Sequence, residues 1–560
     1  MIVKKIFFFL FAVFAVNLLC AQIQTTGDAN PKITTPVSSY TRTSTFSVGS
    51  TADGTLSATN ASNLTISTLS VGTGAGVVGT VSLVDSALTL SQYSYIGTGE
   101  GTGHFSMSNS KLQFNRLHFG YTENSVGIAT FSNSTVSSDS VFWLGNGTIS
   151  LDNSTVSVGL STFSGSASHG AVLTLNSSTL TMGGLLTIGY NGTASVTLTN
   201  STLSANSSHF ISYYGLSATV SLNNSTLTGV QLHMGMYDSK SDPSQTILLE
   251  INSGLASYSS TINLGRVSDS RIVVNQGGTF RGGGADIGAY AKGELLIQGG
   301  VVTLSNATLS RGEGGNGIIS LNSGSLTILG NTIVGLGNTA SMTVNGGTAS
   351  LQGLVVGGNG LFDGRDATIG TGSFVVNGGV VEVASTVAVC SGRGTGTLSV
   401  LGGTFRQTAT ETFSIGVTTT NGSGSAIFSS RANEISLGNV QVGRKGKLTL
   451  KIEGGDADVV GPVITLNSFD GDAAGYYQID LSNYTGSVDK NIELIRGGTA
   501  AEYANITWDI VGVINNYDID NAEVFFENGS LWLGVPIPEP SAAAGLLGLL
   551  ALIMAAHRRG

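Results

Sequence analysis

The chain has 560 residues, of which 80 are glycine and only 10% are charged, and its formal net charge is −10. This composition excludes a disordered acidic chain and disfavours a helical protein, and it suits many short strands joined by tight turns. The 24 basic residues are scattered without a cluster, so we expect no nucleic-acid partner.

The first 21 residues have the three parts of a signal peptide. Lys4 and Lys5 precede an apolar run over residues 6–19, and the small residues Cys20 and Ala21 follow it as a cleavage site. A lipoprotein modified on Cys20 is the alternative, although a bulky leucine lies immediately before that cysteine. Both interpretations predict export.

After a polar lead at residues 22–43, one unit recurs along the chain: an alternating apolar strand, a tight turn and another alternating strand. The turns at Asp85, Asn109 and Asn133 are 24 residues apart. Early copies have Asn-Ser at the turn, and later copies have Gly-Gly, as at residues 346–347, 378–379 and 402–403. A period near 24 with two or three short strands per period predicts a parallel β-helix whose apolar residues point into the lumen.

Two other repeat architectures fit less well, and other solenoids remain an alternative. Propeller blades need about 40 or more residues, and a sandwich would not repeat. The repeat resembles the one shared by autotransporter passenger domains and PEP-CTERM proteins, in which apolar-Gly is followed by apolar-x-x-Gly-Gly. The resemblance covers residues 55–458, and the early Asn-Ser turns depart from it.

Candidate catalytic acids are few. Asp363, Arg365 and Asp366 form a mixed-charge group on one long insertion, and Asp238 and Asp242 lie on another. Glycoside hydrolysis needs two carboxylates that face each other across a substrate, and neither insertion supplies such a pair in phase with the repeat. We therefore expect solvated loops and no catalytic residues.

Metal ligands are sparse as well, and we expect neither a metal nor another cofactor. Four acids near the end of the repeat are the one candidate calcium group: Asp456, Asp458, Asp470 and Asp472. The histidines of the body lack metal-ligand spacing: His104, His118, His169, His209 and His233. Cys390 lies in an apolar alternation, which predicts a small buried side chain without a disulfide partner.

The repeat fades over residues 464–534, where aromatic and acidic residues increase, and we predict a β-segment that caps the open end of the solenoid. The last segment contains, in order, the tripeptide Pro538-Glu539-Pro540, an apolar stretch over residues 542–556, and the pair Arg558 and Arg559. The stretch is predicted to be a short transmembrane helix, with the arginines held on the cytoplasmic side.

This order of features resembles the PEP-CTERM sorting signal. The resemblance implies processing by a membrane exosortase in a Gram-negative bacterium that makes exopolysaccharide. It also implies that the helix anchors the protein in the inner membrane only transiently, before the protein reaches the cell envelope, the cell surface or the extracellular matrix. A simple C-terminal membrane anchor is the alternative.

Together these features predict an all-β chain: one long, right-handed parallel β-helix of about 24 residues per coil with a C-terminal β cap and a short transmembrane helix. The predicted segments are a signal peptide (1–21), a polar lead (22–43), the β-helix (44–463), a cap (464–534) and a sorting segment (535–560). The predicted function is a non-catalytic scaffold that binds exopolysaccharide or mediates adhesion. A polysaccharide lyase or hydrolase is the alternative.

Overall fold

The computed structural model describes residues 21–534 apart from 62, 164–169, 215–216, 237–245, 361–367, 418–421, 456, 460, 487–490 and 513–521. The predicted sorting motif, the transmembrane helix and residues 1–20 of the signal peptide lie outside the described residues. Within the described part, no helix has the length and apolar character needed to cross a bilayer.

Strands account for most of the described chain. The strands of the N-terminal third are β1 (Gln22–Gly27), β2 (Ala29–Asn30), β3 (Ser39–Val48), β4 (Gly54–Thr59), β5 (Asn63–Val71), β6 (Val78–Val84), β7 (Ala87–Ile96), β8 (Thr102–Ser108), β9 (Lys111–Phe119), β10 (Val126–Ser132), β11 (Thr135–Ser137), β12 (Val141–Leu144), β13 (Gly147–Asp152), β14 (Thr155–Val158), β15 (Leu160–Phe163), β16 (Ala171–Asn176), β17 (Thr179–Met182) and β18 (Leu186–Ile188). The middle third contains β19 (Ala194–Thr199), β20 (Thr202–Ala205), β21 (His209–Ile211), β22 (Ala218–Asn223), β23 (Ser225–Gly229), β24 (Leu232–Met234), β25 (Ile247–Ile251), β26 (Gly254–Tyr258), β27 (Ile262–Leu264), β28 (Ser270–Asn275), β29 (Gly278–Ile287), β30 (Lys292–Leu309), β31 (Asn316–Val334), β32 (Thr339–Val344), β33 (Thr348–Val356), β34 (Asn359–Gly360) and β35 (Thr368–Ile369).

The C-terminal third contains the remaining strands and a short helix, α1 (Ala500–Tyr503). Its strands are β36 (Thr371–Val376), β37 (Val380–Val383), β38 (Val387–Val389), β39 (Thr395–Val400), β40 (Thr404–Gln407), β41 (Thr412–Ile415), β42 (Ser423–Ser429), β43 (Glu434–Val442), β44 (Gly446–Gly454), β45 (Ile464–Gly471), β46 (Tyr476–Tyr484), β47 (Ile492–Arg496), β48 (Trp508–Val511), β49 (Glu523–Glu527) and β50 (Ser530–Gly534).

These strands form a parallel β-solenoid of about 16 turns with coils of about 24 residues, which confirms the predicted architecture at this level. Equivalent residues of successive coils pair directly: Thr80 pairs with His104, and His104 pairs with Ile128, in each case 24 residues along the chain. Because the pairing is parallel and in register, each position of the repeat forms a column that runs along the rod.

Each coil contributes three strand segments around a narrow apolar interior. In one coil these are β19, β20 and β21, and their inward residues Leu198, Leu203 and Ile211 are almost completely buried. The intervening Ser and Thr residues lie on the outer face and are partly exposed. The alternation is the period-two pattern of a strand with one buried face.

The Asn-Ser turns of the early coils build a ladder of buried serines. Asn109 adopts a left-handed backbone conformation (φ 49°), which asparagine tolerates better than most residues. The next residue, Ser110, is buried; its hydroxyl accepts the Ser86 N–H at 3.1 Å and donates to the Ser108 carbonyl at 2.7 Å. The same N–H to Oγ bond links seven successive pairs of turns, with acceptors Ser86, Ser110, Ser134, Ser154, Ser178, Ser201 and Ser225.

In later coils two glycines form the same turn. Here the second glycine carries the positive φ, as at Gly347 (φ 74°). A Cβ on Gly347 would lie 2.4 Å from the carbonyl oxygen of Gly324 in the previous coil, so no side chain fits. Asparagine amides reinforce these turns, since Asn345 donates to the Asn322 side chain at 2.9 Å and Asn377 donates to Asn345 at 2.8 Å.

Antiparallel strands occur at both ends of the solenoid. At the N-terminal end, residues of the predicted polar lead form β1, which pairs antiparallel with β4. At the other end, parallel pairing continues beyond residue 463, where the turn motif disappears, because β45 and β46 still pair with β43 and β44. The described chain ends in the antiparallel pairs β47–β50 and β49–β50.

Removing one serine of the ladder tests its contribution. Ser134→Ala leaves the Ser110 N–H buried without its acceptor, so we expect a loss of about 1–3 kcal/mol in the free energy of unfolding. Thr130→Ala, on the exposed side of β10, is the control and should cost much less. Urea denaturation of both variants measures the difference, and equal losses would contradict the ladder.

Deletion of one whole coil tests the register. Removing residues 200–223 joins Thr199 to Asn224, and Thr199 already pairs with Asn223 in the next coil, so every column stays aligned. Removing only 12 of these residues places turns against strands and should lower the melting temperature far more. Equal damage from the two deletions would contradict a 24-residue repeat.

Candidate ligand-binding surface

One outer face of the solenoid carries aromatic side chains in successive coils. In the third strand segment of the coil, Tyr95 of β7 pairs with His118 of β9, and His118 pairs with Trp143 of β12. Further along the rod, Phe210 of β21 pairs with His233 of β24. Each of these residues alternates with an inward apolar residue, so the strand pleat places the rings on the outside.

We define the aromatic surface as these rings and the tyrosines packed with them. Its members are Tyr93, Tyr95, His118, Tyr121, Trp143, Tyr190, Phe210, Tyr213, Tyr214 and His233. Contacts between ring centroids of 4.7–6.4 Å connect all ten into one continuous cluster. An extended exposed aromatic cluster marks an interaction site more often than isolated exposed rings do.

Rings from different coils stack nearly face to face along the rod. His118 lies nearly parallel to Trp143 at 6.1 Å (26° between the planes), and Phe210 lies nearly parallel to His233 at 4.9 Å (15°). Tyr190 and Tyr213, which belong to successive coils, are 5.5 Å apart and only 10° from parallel. These stacked rings add to the cohesion between coils.

Three tyrosines are the most exposed rings of the surface. Tyr121 is 52% exposed, Tyr93 is 40% exposed and Tyr214 is 36% exposed. Tyr121 stands at 87° to the His118 ring, and Tyr214 stands at 88° to the Tyr190 ring. The perpendicular orientation keeps these two rings out of the stacks.

A polar groove of about 510 Å³ lies beside the aromatic surface on three successive coils. It is lined by hydroxyl and amide side chains that include Ser91, Gln113, Asn115 and Ser140, and one carboxylate, Asp139, lies among them. Gln113 and Asn115 precede His118 on β9, so the groove and the aromatic surface share strands. Such a surface offers both hydrogen-bonding groups and ring surfaces to one ligand.

Arg116 directly follows Asn115 of the groove and contacts Tyr93 of the aromatic surface. Its guanidinium lies 4.5 Å from the centre of the Tyr93 ring and donates a hydrogen bond to the Tyr93 hydroxyl. A cation over an aromatic face is attracted by the negative face of the ring. The arrangement fixes the exposed Tyr93 ring at the boundary between groove and rings.

Burial keeps the two histidines of the surface neutral. It lowers the pKa of His118 to about 4, helped by the positive charge of Arg116, and it lowers the pKa of His233 to about 4, helped by Arg266. In the described structure neither ring nitrogen of His118 has a hydrogen-bond partner, since the imidazole is packed among aromatic rings.

A third histidine lies inside the solenoid. His209 accepts or donates one hydrogen bond through Nδ1, to the Tyr258 hydroxyl at 3.0 Å, and burial lowers its pKa to about 4. Both side chains point into the interior, so they stabilise the core and contribute nothing to the surface.

The residues singled out as possible acids or ligands do not meet in the described structure. The two acidic insertions and Asp456 fall outside the described residues. Asp458 and Asp472 accept backbone N–H groups of their own loops, from Gly455 and Ala474. Across the described residues, no three of the His, Cys, Asp and Glu side chains are grouped to hold a metal ion. Cys390 is buried, as predicted, and its thiol donates to the Gly394 carbonyl at 3.0 Å.

Sequence analysis did not identify the aromatic surface. A signal was present, because Tyr121 and Tyr190 each directly follow the glycine of an apolar-Gly mark, at Gly120 and Gly189. Aligning the coils on that mark would have placed both tyrosines in one column.

Comparison of the chain with protein-family models, curated proteins and solved structures gives no match.

The neutral histidines predict a stability that falls on mild acidification. The unfolded chain takes up protons on these histidines from about pH 6.5, whereas His118, His209 and His233 remain neutral in the folded chain down to about pH 4. Falling pH within that window therefore favours unfolding. We expect the melting temperature to drop by several degrees between pH 6.5 and pH 4.5.

A variant separates this effect from acid denaturation in general. His118→Phe keeps a ring among Tyr93, Tyr95, Tyr121 and Trp143 but cannot be protonated, so its melting temperature should depend less on pH over the same window. The carboxylate of Asp28, whose pKa backbone N–H groups lower to about 2, loses its contribution only at lower pH. An identical pH dependence in His118→Phe would contradict the assignment.

Proposed function

We propose that this protein is an exported, non-catalytic scaffold that binds extracellular polysaccharide through the aromatic surface. The observation that carries the proposal is the continuous cluster of ten rings on one outer face, with a polar groove beside it. Binding of this kind would also allow the rod to mediate adhesion to a matrix or to a neighbouring cell.

The chemistry of the surface matches the chemistry of sugars. A pyranose ring presents C–H bonds on one face and hydroxyl groups around its edge. The electron-rich faces of Tyr121 and Tyr214 can receive the C–H bonds, and the phenol hydroxyls and groove amides can bond the sugar hydroxyls. Hydroxyls and amides also bind through water, which suits a soluble polymer.

The groove supports binding rather than glycoside hydrolysis. Hydrolysis by the two common mechanisms needs a pair of carboxylates within about 10 Å of each other. Asp139 is the carboxylate that lines the groove, and the other lining side chains are hydroxyl, amide and apolar groups. The alternative, a lyase or hydrolase, needs a second acid or a cation that stabilises a carbanion there.

The remaining parts of the proposal rest on the two ends of the sequence. We propose that the signal peptide exports the chain, that an exosortase recognises Pro538-Glu539-Pro540, and that Arg558 and Arg559 hold the tail transiently at the inner membrane. We also propose that the coils are right-handed and that residues 464–534 cap the C-terminal end, where β49 and β50 pair antiparallel.

Affinity electrophoresis in gels that contain polysaccharide tests the proposal. The full chain should be retarded by the host exopolysaccharide. Tyr121→Ala combined with Tyr214→Ala should abolish most of the retardation and lower the melting temperature only slightly, since both rings are exposed and make only edge-to-face contacts with their neighbours. Tyr476→Ala removes a similarly exposed tyrosine (43%) on β46, which belongs to a different strand segment of the coil, and it should leave retardation unchanged.

The same incubations decide between scaffold and enzyme. We expect no new reducing ends and no unsaturated products. Products that disappear on Asp363→Ala, Asp366→Ala or Asp139→Ala would establish the enzyme and contradict the scaffold. Retardation unaffected by the tyrosine variants would contradict the aromatic surface as the binding site.

A further inference from the structure

The coils that carry the second half of the aromatic surface contain no formal charge. Residues 153–236 include no Asp, Glu, Lys or Arg, although charged residues make up 10% of the whole chain. This stretch contains Tyr190, Phe210, Tyr213, Tyr214 and His233 and supplies several complete coils, so their entire outer surface is uncharged apart from the histidines.

The histidines do not supply a positive charge at neutral pH. Burial keeps His233 neutral down to about pH 4, and His209 lies inside the solenoid. The nearest arginine along the rod, Arg266, donates to the Met236 sulfur at 3.0 Å. The coils of residues 153–236 therefore supply no cation of their own for the carboxylate, sulfate or phosphate group of an acidic polymer, and Arg266 lies at their edge as a nearby positive charge.

The coils of the first half carry more acids than bases. Residues 89–152 contain two cations, Lys111 and Arg116, and four carboxylates, those of Glu100, Glu123, Asp139 and Asp152. Arg116 is engaged with Tyr93. Two cations against four carboxylates leave a net charge of −2 on this part of the chain, which disfavours the binding of polyanions.

The surface is also elongated along the rod. Its ring contacts join successive or nearby coils, as between Tyr190 and Tyr213, whose backbone is bonded coil to coil through Tyr213 N–H and the Gly189 carbonyl at 3.0 Å. Successive coils are spaced by about 4.8 Å, close to the length of one hexose unit. A chain parallel to the rod passes over many rings, whereas a chain wrapped around one coil meets at most three.

We propose, on the basis of the function proposed above, that the aromatic surface binds a neutral polysaccharide whose chain lies along the rod axis. The chemical class is an uncharged hexose polymer, and the charge distribution disfavours uronate and sulfated polymers. Each added sugar reaches a further coil, so affinity grows with oligosaccharide length.

Calorimetry on the full chain tests the ligand class and the orientation. The probes are disaccharides and hexasaccharides of a β-glucan and of a mannan, with a uronate hexasaccharide at low salt. We expect one of the neutral hexasaccharides to bind at least about tenfold more tightly than its disaccharide and than the uronate hexasaccharide. Tyr213→Ala should weaken the neutral hexasaccharide several-fold, and Tyr213→Phe, which keeps the ring, should weaken it little.

A charge variant tests the reason for the selectivity. Asn191 is exposed, and it follows Tyr190, whose carbonyl accepts the Tyr214 N–H. Asn191→Lys should raise uronate affinity several-fold and leave neutral binding unchanged. Failure of this variant to raise uronate affinity would contradict the charge argument.

The outcomes separate this inference from the proposed function. Uronate binding that equals or exceeds neutral binding, or neutral binding that does not depend on length, would overturn the inference. If that uronate binding is still lost in Tyr121→Ala, the proposed function stands. Absence of binding to every probe and to the host exopolysaccharide would overturn both.

Discussion

The structure depends on one constraint: backbone groups of each coil must pair in parallel with those of the next coil, in constant register. That pairing satisfies the N–H and C=O groups of three strand segments per coil, and it fixes every side chain in a column. The interior columns are apolar and form one core from Ile23 to Leu533. The outer columns have no such restriction, and aromatic residues occupy several neighbouring columns of one outer face.

The turns show how strictly the constraint acts. At this turn the chain must bend sharply with a positive φ, and two different residue pairs meet that need. In the early coils Asn takes the left-handed conformation and a buried Ser bonds to the previous coil, as Asn133 and Ser134 do. In later coils the second glycine, such as Gly347, provides the bend, where a Cβ would meet a carbonyl. Both solutions leave the coil spacing unchanged, which explains why the motif changes along the chain while the period persists.

The same constraint explains what could be predicted from the sequence. Period, strand alternation and turn residues are local, so the parallel solenoid and its 24-residue coil follow from spacings such as Asp85 to Asn109. The end of the repeat was harder to predict, because β45 and β46 continue the parallel pairing without the turn motif. The first strand of the N-terminal lead, β1, depends on antiparallel pairing with β4, and no periodic pattern in the sequence predicts that pairing.

The aromatic surface could not be predicted from the sequence for a different reason. Tyr95, His118 and Trp143 are ordinary outward residues when each coil is considered alone, and they form a site only because register aligns them. Coil lengths vary between these positions, so a fixed period does not bring them into one column. Ring orientation, which separates the stacked Tyr190 from the exposed Tyr214, depends on packing between coils and has no signature in the sequence.

Hydroxyl-radical footprinting with mass spectrometry most directly tests the claim that the aromatic face is the polysaccharide-binding site. The full chain is oxidised with and without saturating host exopolysaccharide, and the rate of modification is measured for each aromatic side chain. We predict protection of Tyr121, Trp143 and Tyr214, with an unchanged rate at Tyr476, which is exposed on a different strand segment of the coil. Saturated binding with no protection of Tyr121, Trp143 and Tyr214 would contradict the account.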